Sequence, residues 1–493
     1  MTKDAKKGLF GFLFKEKNTK GNDTDGSLLT PKAEKETKDE TYKETLPEEA
    51  HKDPEFGLSE VQALYLYGLN TTPNKDATPP HICIELSYPK IDPKRLEEAL
   101  LKILLRHPIM RTAFRNRRQV VLDAPEAFCL SVRCCEKEKL EEVLEEQWNG
   151  VCNPEYSEEE GFLYDIRLTQ CEEESFIDCS VALLCTDWNS IQNLVSDTEK
   201  AYHNPDHFTT RLPLAYSEYV TFEEKKRRTL EYMRDNAYWE DRMDNLSTSP
   251  KLPLKPEVLS DKEQNIFRQY RLNLTEEEWD KLRKTGEMKG FTPRSLLMSA
   301  YADALAAWSD NKDFSLQLIL LKRPDMGYGS RDIVGNFATH ILIHADRRAG
   351  KTFVDGNRQI NQAIFEGVEH KSFSAISLMK RMKEEGRRTE LIPYVFTDAL
   401  GSLDFDHKPV NAGLKRYMIC GIPQVYINCQ VFDGRGGLGI HWDIRKDLFS
   451  DEVADGIFAS FEGLIRTLCV DDSAWEFKDM LRDFSRVNPD LSF

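Results

Sequence analysis

The sequence predicts a mixed α/β (α+β) fold that is divided into two lobes. Short apolar runs typical of strands alternate with amphipathic helical segments along most of the chain. The length of 493 residues also exceeds what one hydrophobic core usually serves, since chains beyond about 250–300 residues split into domains. A charged helical stretch over 220–262, with the proline-rich "SPKLPLKPE", is the candidate crossover. We therefore expect an N-terminal lobe over 55–250 and a C-terminal lobe over 251–493.

The first 54 residues differ from the rest in composition, because they are rich in Lys, Glu, Asp and Thr and poor in apolar side chains. Such a segment buries too little surface to offset the entropy of ordering, so 1–54 is expected to be a disordered tail. Its exception is "GLFGFLFK" over 8–15. This segment is interpreted as the apolar end of a leader, as a docking peptide for a partner protein, or as a membrane-surface anchor.

Two helices have especially clear signals. The stretch "DPKRLEEALLKILLRHP" begins with Asp92 as N-cap and Pro93 in the first turn, and Pro108 stops it. Its apolar residues share one helical face. They are Leu96, Ala99, Leu100, Ile103 and Leu104. A second helix is expected to follow Thr292 and Pro293 and to end at Trp308.

Short apolar, β-branched runs predict the strands between these helices. They cover 81–86, 176–185, 314–321, 340–345 and 424–432. The last run is followed by "DGRGG" and "LGIHWDI", which predicts a hairpin turn over 433–437. The stretch "SVALLCTDWNSIQNL" over 180–194 is interpreted as a buried strand that breaks at Thr186 and Asp187 and continues into a helix. Asp187 is therefore expected at the carboxyl end of a strand.

Composition and charge exclude several classes of protein. The chain is 40% hydrophobic and 31% charged, as in ordinary globular proteins, and no run approaches the roughly 18 apolar residues of a membrane span. A net charge of −17 would repel a nucleic-acid backbone. The 11 cysteines are scattered without a C-x-x-C pair, so we expect no metal site and reduced thiols in a cytoplasmic protein.

Seven segments, taken in order, resemble the condensation-domain superfamily of nonribosomal peptide synthetases, and most closely its heterocyclization domains. The segments are 56–68, 106–114, 215–220 with 236–243, 334–343, 392–401, 422–431 and 442–449. The resemblance covers about 56–472. It implies two chloramphenicol-acetyltransferase-like lobes in a V-shaped pseudodimer with a central tunnel. It also implies carrier proteins that dock at the two ends and present acyl groups on phosphopantetheine arms, with no cofactor bound by the chain itself.

The family's central motif is altered in this sequence. Condensation members use H-H-x-x-x-D-G and heterocyclization members D-x-x-x-x-D, and the final aspartate matches Asp187. In the family this residue is structural and pairs with an arginine of the second lobe, which corresponds to Arg323. Counting back from Asp187, Ala182 and Leu183 occupy the positions of the proton-handling residues. Neither side chain exchanges a proton, which excludes a histidine general base at this motif.

The dehydration residues of the family are only partly present. Thr397 matches the family's threonine, but Asn428 stands where the aspartate is expected, and Asn336 replaces another aspartate in the "VGNFA" block. An amide does not take up or deliver a proton near neutral pH. Asp398 is the nearest substitute, although neighbouring residues on a strand face opposite ways. Thr397 and Asn428 are therefore expected to line the tunnel as hydrogen-bonding groups.

Other reactive residue types have structural interpretations. His81, His107, His340 and His441 have no paired catalytic spacing. His81 and His107 are expected to serve packing or to satisfy buried polar groups. Cys185 lies in an apolar strand, which raises a thiol pKa and favours an inert core residue. Ser190 is expected to cap the helix or to lie on its surface.

The expected function is that of a stand-alone heterocyclization-like condensation protein. It would act in trans with carrier proteins and adenylation partners, form an amide bond by positioning the reactants, and have impaired cyclodehydration. Two alternatives stay open. One is a non-catalytic condensation-fold scaffold that recruits carrier proteins or a partner enzyme, and the other is an acyltransferase that uses free acyl donors.

Overall fold

Helices and strands alternate through the part of the chain that the computed structural model describes, which covers 55–71, 78–256, 267–321, 323–387, 392–401, 413–422, 424–434 and 437–478. The expected disordered tail over 1–54, with its segment 8–15, lies outside the described residues. The strands are β1 (Glu55–Phe56), β2 (His81–Pro89), β3 (Thr112–Arg115), β4 (Arg118–Val121), β5 (Ser131–Cys134), β6 (Tyr164–Cys171), β7 (Glu174–Ala182), β8 (Phe267–Leu274), β9 (Asp313–Leu320), β10 (Thr339–Asp346), β11 (Tyr394–Asp398), β12 (Gly413–Cys420), β13 (Ile427–Gly434) and β14 (Gly437–Arg445). The helices are α1 (Glu60–Thr71), α2 (Pro93–Arg106), α3 (Leu140–Cys152), α4 (Trp188–His203), α5 (Tyr216–Lys226), α6 (Leu230–Glu240), α7 (Glu276–Met288), α8 (Pro293–Trp308), α9 (Phe353–Glu369), α10 (Ala375–Glu384) and α11 (Asp451–Val470).

The described strands form two large sheets and one small one. A five-stranded sheet has the order β12-β2-β7-β6-β5, a six-stranded sheet has the order β10-β9-β11-β13-β14-β8, and β1, β4 and β3 form the third. The predicted lobe boundary after residue 250 falls in the extended segment that follows α6. Strand β12 comes from beyond that boundary, yet it pairs antiparallel with β2. The C-terminal half of the chain thus completes the sheet of the N-terminal half.

The two helices with clear sequence signals are confirmed. Asp92 caps α2 through hydrogen bonds from the backbone N–H groups of Lys94 and Arg95, and the five predicted apolar residues are the buried ones. Thr292 caps α8 in the same way, and α8 ends at Trp308 as predicted. Both helices therefore form where local capping and the apolar period agree.

Strand β7 is shorter than the sequence predicts. It ends at Ala182 and not at Cys185. The backbone N–H of Leu183 donates to the carbonyl of Pro80 at 2.6 Å, and the N–H of Cys185 donates to Ala182 at 2.9 Å, which closes a turn. Residues 183–185 are all buried, so their apolar character reflects burial, which strands and buried turns share.

The six-stranded sheet has two different faces. One face packs on α7, α8 and α11 with large apolar side chains, among them Phe396 and Trp442. Strands β13 and β14 pair antiparallel as far as Gly434 and Gly437, as the predicted hairpin requires, and residues 435–436 of its turn lie outside the described residues. Successive residues of a strand point to opposite faces, so the residues between these apolar ones project away from the helices. No helix among the described residues is long and apolar enough to cross a membrane.

Candidate functional site

Asp187 begins α4 and binds a loop from the C-terminal half of the chain. One carboxylate oxygen accepts a hydrogen bond from the backbone N–H of Ser190 at 2.7 Å, as an N-cap does. The other oxygen accepts from the backbone N–H of Phe337 at 3.1 Å. Asp187 is only 2% exposed. Its carboxylate is therefore occupied by structural contacts that connect the start of α4 to residues 333–338.

Arg323 lies beside this carboxylate, so the structure brings the two predicted partners together. Its Nη2 is 3.7 Å from Asp187 Oδ1 and donates to Ser190 Oγ at 2.8 Å. Nη1 donates to the carbonyl of Ile333, and the guanidinium stacks 4.4 Å from the ring centre of Phe337. Burial lowers the pKa of Arg323, while Asp187 acts in the opposite direction. Ser190, Ile333 and Phe337 therefore hold the pair in place.

Ser190 has a larger role than the sequence suggests. It is fully buried and does not lie on a helix surface. Its Oγ donates to the carbonyl of Gly335 at 2.6 Å and accepts from the N–H of the same residue at 3.1 Å. A Cβ at position 335 would lie 2.0 Å from the ring of Tyr216, so this close approach requires glycine. The first turn of α4 is thereby fixed to the "VGNFA" block.

Asn336 forms the next contact between the same two segments. Its Nδ2 donates to the carbonyl of Leu183 at 2.9 Å, and its Oδ1 accepts from the N–H of Ala338 at 3.0 Å. Burial raises the pKa of Tyr65, whose hydroxyl also bonds the Asn336 side chain. Ala182 and Leu183 are both buried. An ionised aspartate at 336 could not donate a hydrogen bond to the carbonyl of Leu183. This contact explains structurally why an amide occupies position 336.

The outward face of the six-stranded sheet is polar and largely buried, and we refer to it as the polar face. Cross-strand register aligns its members on one side of the sheet. They are Gln269, Gln317, His340, Thr397, Asn428, Gln430, His441 and Asp443. Within it, Thr397 Oγ1 donates to Asn428 Oδ1 at 2.9 Å, and the two side chains are 7% and 4% exposed. The structure therefore brings together the two residues that match the dehydration positions.

Asp443 is a carboxyl group of the polar face that the sequence reasoning missed. It lies directly opposite Asn428 in the register of β13 and β14. Gln269 donates to one of its oxygens at 3.0 Å, and Gln430 donates to the other. Burial raises the pKa of Asp443 to about 7. An acid between two apolar residues in "HWDI" was the signal that could have identified a buried carboxyl.

Asp398 is separated from Thr397 by the alternation of the strand. It projects from the other face of β11 and forms an ion pair with Arg294 of α8. It also accepts from the backbone N–H of Leu400 at 3.1 Å. In this arrangement Asp398 does not contact the hydroxyl of Thr397.

The remaining histidines and Cys185 are buried among protein groups. His340 Nδ1 lies 3.0 Å from Gln317 Oε1 on the polar face, and burial lowers the pKa of His340 to about 4. Burial also lowers the pKa of His441, to about 3. His107 lies 3.1 Å from Asp197 in the core near α4. Burial raises the pKa of the Cys185 thiol, which disfavours a nucleophilic thiolate.

An aromatic contact connects the altered motif to the polar face. Trp188, the residue after Asp187, packs against Tyr417 of β12 with ring centres 4.4 Å apart. The hydroxyl of Tyr417 donates to Gln430 Oε1. Trp188 of the motif is therefore connected to Asp443 through two side chains. Tyr417 contacts Gln430, and Gln430 donates to Asp443.

A cavity of about 1270 Å³ lies where the two halves of the chain meet. Residues of α4 and α5 line one side, and residues that follow β9 line the other, including Asn189, Tyr219, Arg323, Phe337 and Asp398. This volume exceeds the roughly 300–1,000 Å³ typical of small-molecule sites. Thr397 and Asn428 are absent from its lining. Their neighbours in the chain do line it, since Asp398 follows Thr397 in β11 and Phe337 follows Asn336.

One group of side chains in the described chain has the composition of a metal site. His81, Cys83 and Cys420 are buried, and their ligand atoms lie within 4.8 Å of one another. The sequence-based expectation of no metal site relied on spacing along the chain, and these residues come from two distant segments.

Known proteins with similar sequences and structures point to one family. A family model described as "Condensation domain" matches residues 55–474. Pyochelin synthetase PchF of Pseudomonas aeruginosa is 31% identical over 451 residues, which are 87% of this chain and 24% of PchF. Phenyloxazoline synthase MbtB of Mycobacterium sp. (strain MCS) is 26% identical over 434 residues, which are 87% of this chain and 36% of MbtB.

The solved cyclization-docking bidomain of EpoB from Sorangium cellulosum superimposes with a TM-score of 0.74 at 22% identity, over 86% of each chain. This match confirms the predicted mixed α/β architecture. The sequence matches confirm the resemblance found in the sequence. The chain spans about a quarter of the length of PchF.

Proposed function

The chain belongs to the condensation-domain family of nonribosomal peptide synthetases, and we propose that it joins two acyl groups that carrier proteins present on phosphopantetheine arms. The cavity between its halves supports this proposal, because its volume of about 1270 Å³ suits two tethered substrates. Lys226, Arg227 and Lys371 line it, and they offer positive charge to the phosphate of an arm. The carriers and the adenylation enzymes that load them would act in trans.

The proposed bond-forming step is amide formation by positioning. Ala182 and Leu183 are buried and apolar at the motif, and Asp187 is occupied by Ser190 and Phe337. No side chain there takes a proton from the attacking amine. An amine is already a nucleophile towards a thioester, and well-oriented reactants gain several kcal/mol, about 7–11 in the best cases, without a base. Condensation is therefore retained while the motif chemistry is lost.

Cyclodehydration is proposed to be weak, and the buried contact between Thr397 and Asn428 is the observation that carries this proposal. Ring formation closes a side-chain thiol or hydroxyl onto the new amide and then expels water, which requires proton transfer. Asn428 holds the Thr397 hydroxyl but delivers no proton. A missing general acid or base lowers a rate by about 10²–10⁴. The expected main product is thus the open-chain amide.

The test supplies one acyl-loaded carrier and one cysteinyl-loaded carrier as separate proteins. Mass spectrometry of the carriers is expected to show transfer of the acyl group to the cysteinyl carrier, with little loss of water from the product. Carriers incubated without the protein give the uncatalysed rate. Transfer no faster than this rate contradicts the proposal.

The apolar motif favours a second candidate function, which is a condensation-fold scaffold that binds carriers without joining their acyl groups. Buried Ala182 and Leu183 are the observation in its favour. Carrier binding measured by calorimetry, together with no acyl transfer, would support the scaffold. Acyl transfer above the uncatalysed rate excludes it.

A further inference from the structure

Four potential metal ligands from three distant segments of the chain meet on one side of the five-stranded sheet. His81 and Cys83 are two residues apart on β2 and therefore share a face. Cys420 of β12 pairs directly with His81 in the sheet register. Cys152 is the last residue of α3, and the Trp148 and Val151 side chains of that helix pack on Cys83 and Cys420. Three separate segments thus converge on one point.

Three of the four ligand atoms form one close group, and the fourth thiol adjoins two of them. Those of His81, Cys83 and Cys420 lie within 4.8 Å of one another. The Cys152 thiol is within hydrogen-bonding distance of both Cys83 and Cys420. Tetrahedral zinc holds thiolates at about 2.3 Å, which places two sulfurs about 3.8 Å apart. The Cys152 side chain lies outside the group within 4.8 Å, so a shared ion would require it to rotate towards the other three ligands.

Both ring nitrogens of His81 lie near backbone carbonyls, and a neutral ring satisfies only one of the two. Its Nδ1 lies 2.9 Å from the carbonyl of Pro79, and its Nε2 lies 3.2 Å from the carbonyl of Cys152. His81 is 2% exposed, and a neutral ring has only one N–H to donate. When Nδ1–H donates to the carbonyl of Pro79, the Nε2 lone pair lies near the carbonyl oxygen of Cys152. That oxygen has no proton to donate, so the lone pair is available to a metal ion. Metal-bound histidines typically donate their other N–H to a backbone carbonyl in this way.

We propose that His81, Cys83, Cys152 and Cys420 bind one Zn²⁺ ion. Binding deprotonates the three thiols, and the protons go to solvent. Cys83, whose thiol now contacts the carbonyl of Val151 at 3.4 Å, exchanges that contact for the metal. Four protein ligands complete a tetrahedral site and leave no open position, so the ion is structural. Half-buried Cys152 provides the route of entry from solvent.

The site would connect β12 to the sheet of the N-terminal half. Cys420 ends β12, three residues after Tyr417, whose hydroxyl donates to Gln430 of the polar face. The ion would therefore hold β12, the edge strand of the five-stranded sheet whose Tyr417 contacts the six-stranded sheet. This role is independent of the proposed condensation chemistry, and it stands whether or not the chain transfers acyl groups.

The test measures zinc in the full chain, expressed with zinc and purified without a metal-affinity column. Inductively coupled plasma mass spectrometry is expected to show one zinc ion per chain. Co²⁺ bound in its place should give the visible absorption of a tetrahedral thiolate site. Cys83→Ala and Cys420→Ala are expected to lose both signals. Cys179→Ala is the matched control, because Cys179 is also buried in this sheet but faces away from the cluster.

Cys152→Ala provides a second variant that disturbs the core least, since Cys152 is half-buried at a helix end. It is expected to weaken zinc binding and to abolish the change in melting temperature that a chelator causes in the unaltered protein. Absence of zinc at saturating concentration overturns the proposal. Zinc binding that is retained in all three cysteine variants also overturns the proposal. A disulfide between two of these cysteines in freshly purified protein, detected by thiol titration, is also incompatible with it.

Discussion

Asn428 faces the hydroxyl of Thr397 at the position where the heterocyclization motif has a carboxylate. The amide nitrogen of Asn428 replaces one carboxylate oxygen, and this replacement removes the capacity to exchange a proton. The variant Asn428→Asp is expected to raise ring formation by about 10²–10⁴. The carboxylate would still accept the Thr397 hydrogen bond, which now measures 2.9 Å to Oδ1. The measurement is the ratio of dehydrated to open-chain product on the cysteinyl carrier, followed by mass spectrometry.

The double variant Asn428→Asp with Thr397→Val is the control for this gain. Valine has nearly the shape of threonine but gives no hydroxyl to the new carboxylate. The ratio of dehydrated product should return to that of the unaltered protein. An Asn428→Asp protein that condenses normally but forms no more ring would show that the dehydration site has lost more than this carboxylate.

Asn336 shows that an amide in place of an acid can be structural. The variant Asn336→Asp places an ionised carboxylate against the carbonyl of Leu183, which now accepts a hydrogen bond of 2.9 Å. The expected cost is at least the roughly 1–3 kcal/mol of an unsatisfied buried group. Urea unfolding followed by circular dichroism measures it. Asn70→Asp is the control, since Asn70 donates to the carbonyl of Leu66 at 2.8 Å but is exposed. Equal losses in both variants would contradict this explanation.

Individual residues were predictable from sequence only where a family position marked them. Thr397 and Asn428 were identified in this way, and the structure places them in contact. Asp443 and Ser190 were not, because their importance depends on partners brought from distant strands and loops. Ser190 bonds Gly335, 145 residues away. Spacing along the chain contains no information about such contacts.

At the level of elements, helices were predicted well and strand ends less well. Helix α2 has a cap, a proline and an apolar period that agree, so its bounds follow from local chemistry. Strand β7 continues into a turn whose residues Leu183 to Cys185 are as buried as the strand itself. Apolar sequence reports burial, whereas the strand ends where the N–H of Cys185 bonds back to the carbonyl of Ala182 and closes a turn.

The junction between α4 and the 333–338 loop predicts strong coupling between Asp187 and Arg323. Removing one member of a buried pair costs about 3–5 kcal/mol, because the other charge loses its partner. Asp187→Ala, Arg323→Met and the double variant form a cycle, and urea unfolding is expected to give a coupling energy above about 0.5 kcal/mol. Thr229→Ala is the control for loss of a cap alone, since Thr229 caps exposed α6 without an ion pair. If the losses in free energy of unfolding of the two single variants add up to that of the double variant, Asp187 and Arg323 do not stabilise each other.

The pairing of β2 with β7 predicts a pH dependence of stability. Asp178 lies opposite Glu85 in this pair, and burial, then the Glu85 charge, raise its pKa from 3.8 to about 8. The folded state therefore keeps a proton that the unfolded state loses. The free energy of unfolding should fall as pH rises from about 4 to about 8, by up to about 1.4 kcal/mol per pH unit from this group.

The variant Asp178→Asn has no carboxyl group to hold a proton in the folded state. Its free energy of unfolding should therefore change less between about pH 4 and about pH 8 than that of the unaltered protein. Urea unfolding at several pH values between 3.8 and about 8 measures the difference. The advantage of the variant over the unaltered protein should increase with pH. A constant difference at all pH values would show that Asp178 ionises in the folded protein as it does in the unfolded one.

On the scale of the whole molecule, the sequence predicted two halves but not how they are joined. The boundary near 250 followed from composition, and it separates the bulk of the two large sheets. Strand β12 breaks this simple division, because residues 413–420 pair with 81–87. No local signal specifies a partner more than three hundred residues away. The crossing strand also places Tyr417 against Trp188, beside the motif.

This exchange predicts that the N-terminal half does not fold stably by itself. A fragment of residues 1–256 would lack β12 and would leave β2 as an unpaired edge, with Cys83 and Trp148 losing the cover of Cys420. Exposed strand edges and apolar surface promote association with other chains. The fragment is therefore expected to aggregate, whereas 1–256 expressed together with 257–493 should form a soluble one-to-one complex. A synthetic peptide of residues 413–422 should increase the soluble yield of the fragment, and a peptide of scrambled order should not, because only the native order restores the alternation of β12. A monomeric 1–256 fragment that unfolds cooperatively without the peptide would show that the first sheet is complete without the strand from the second half.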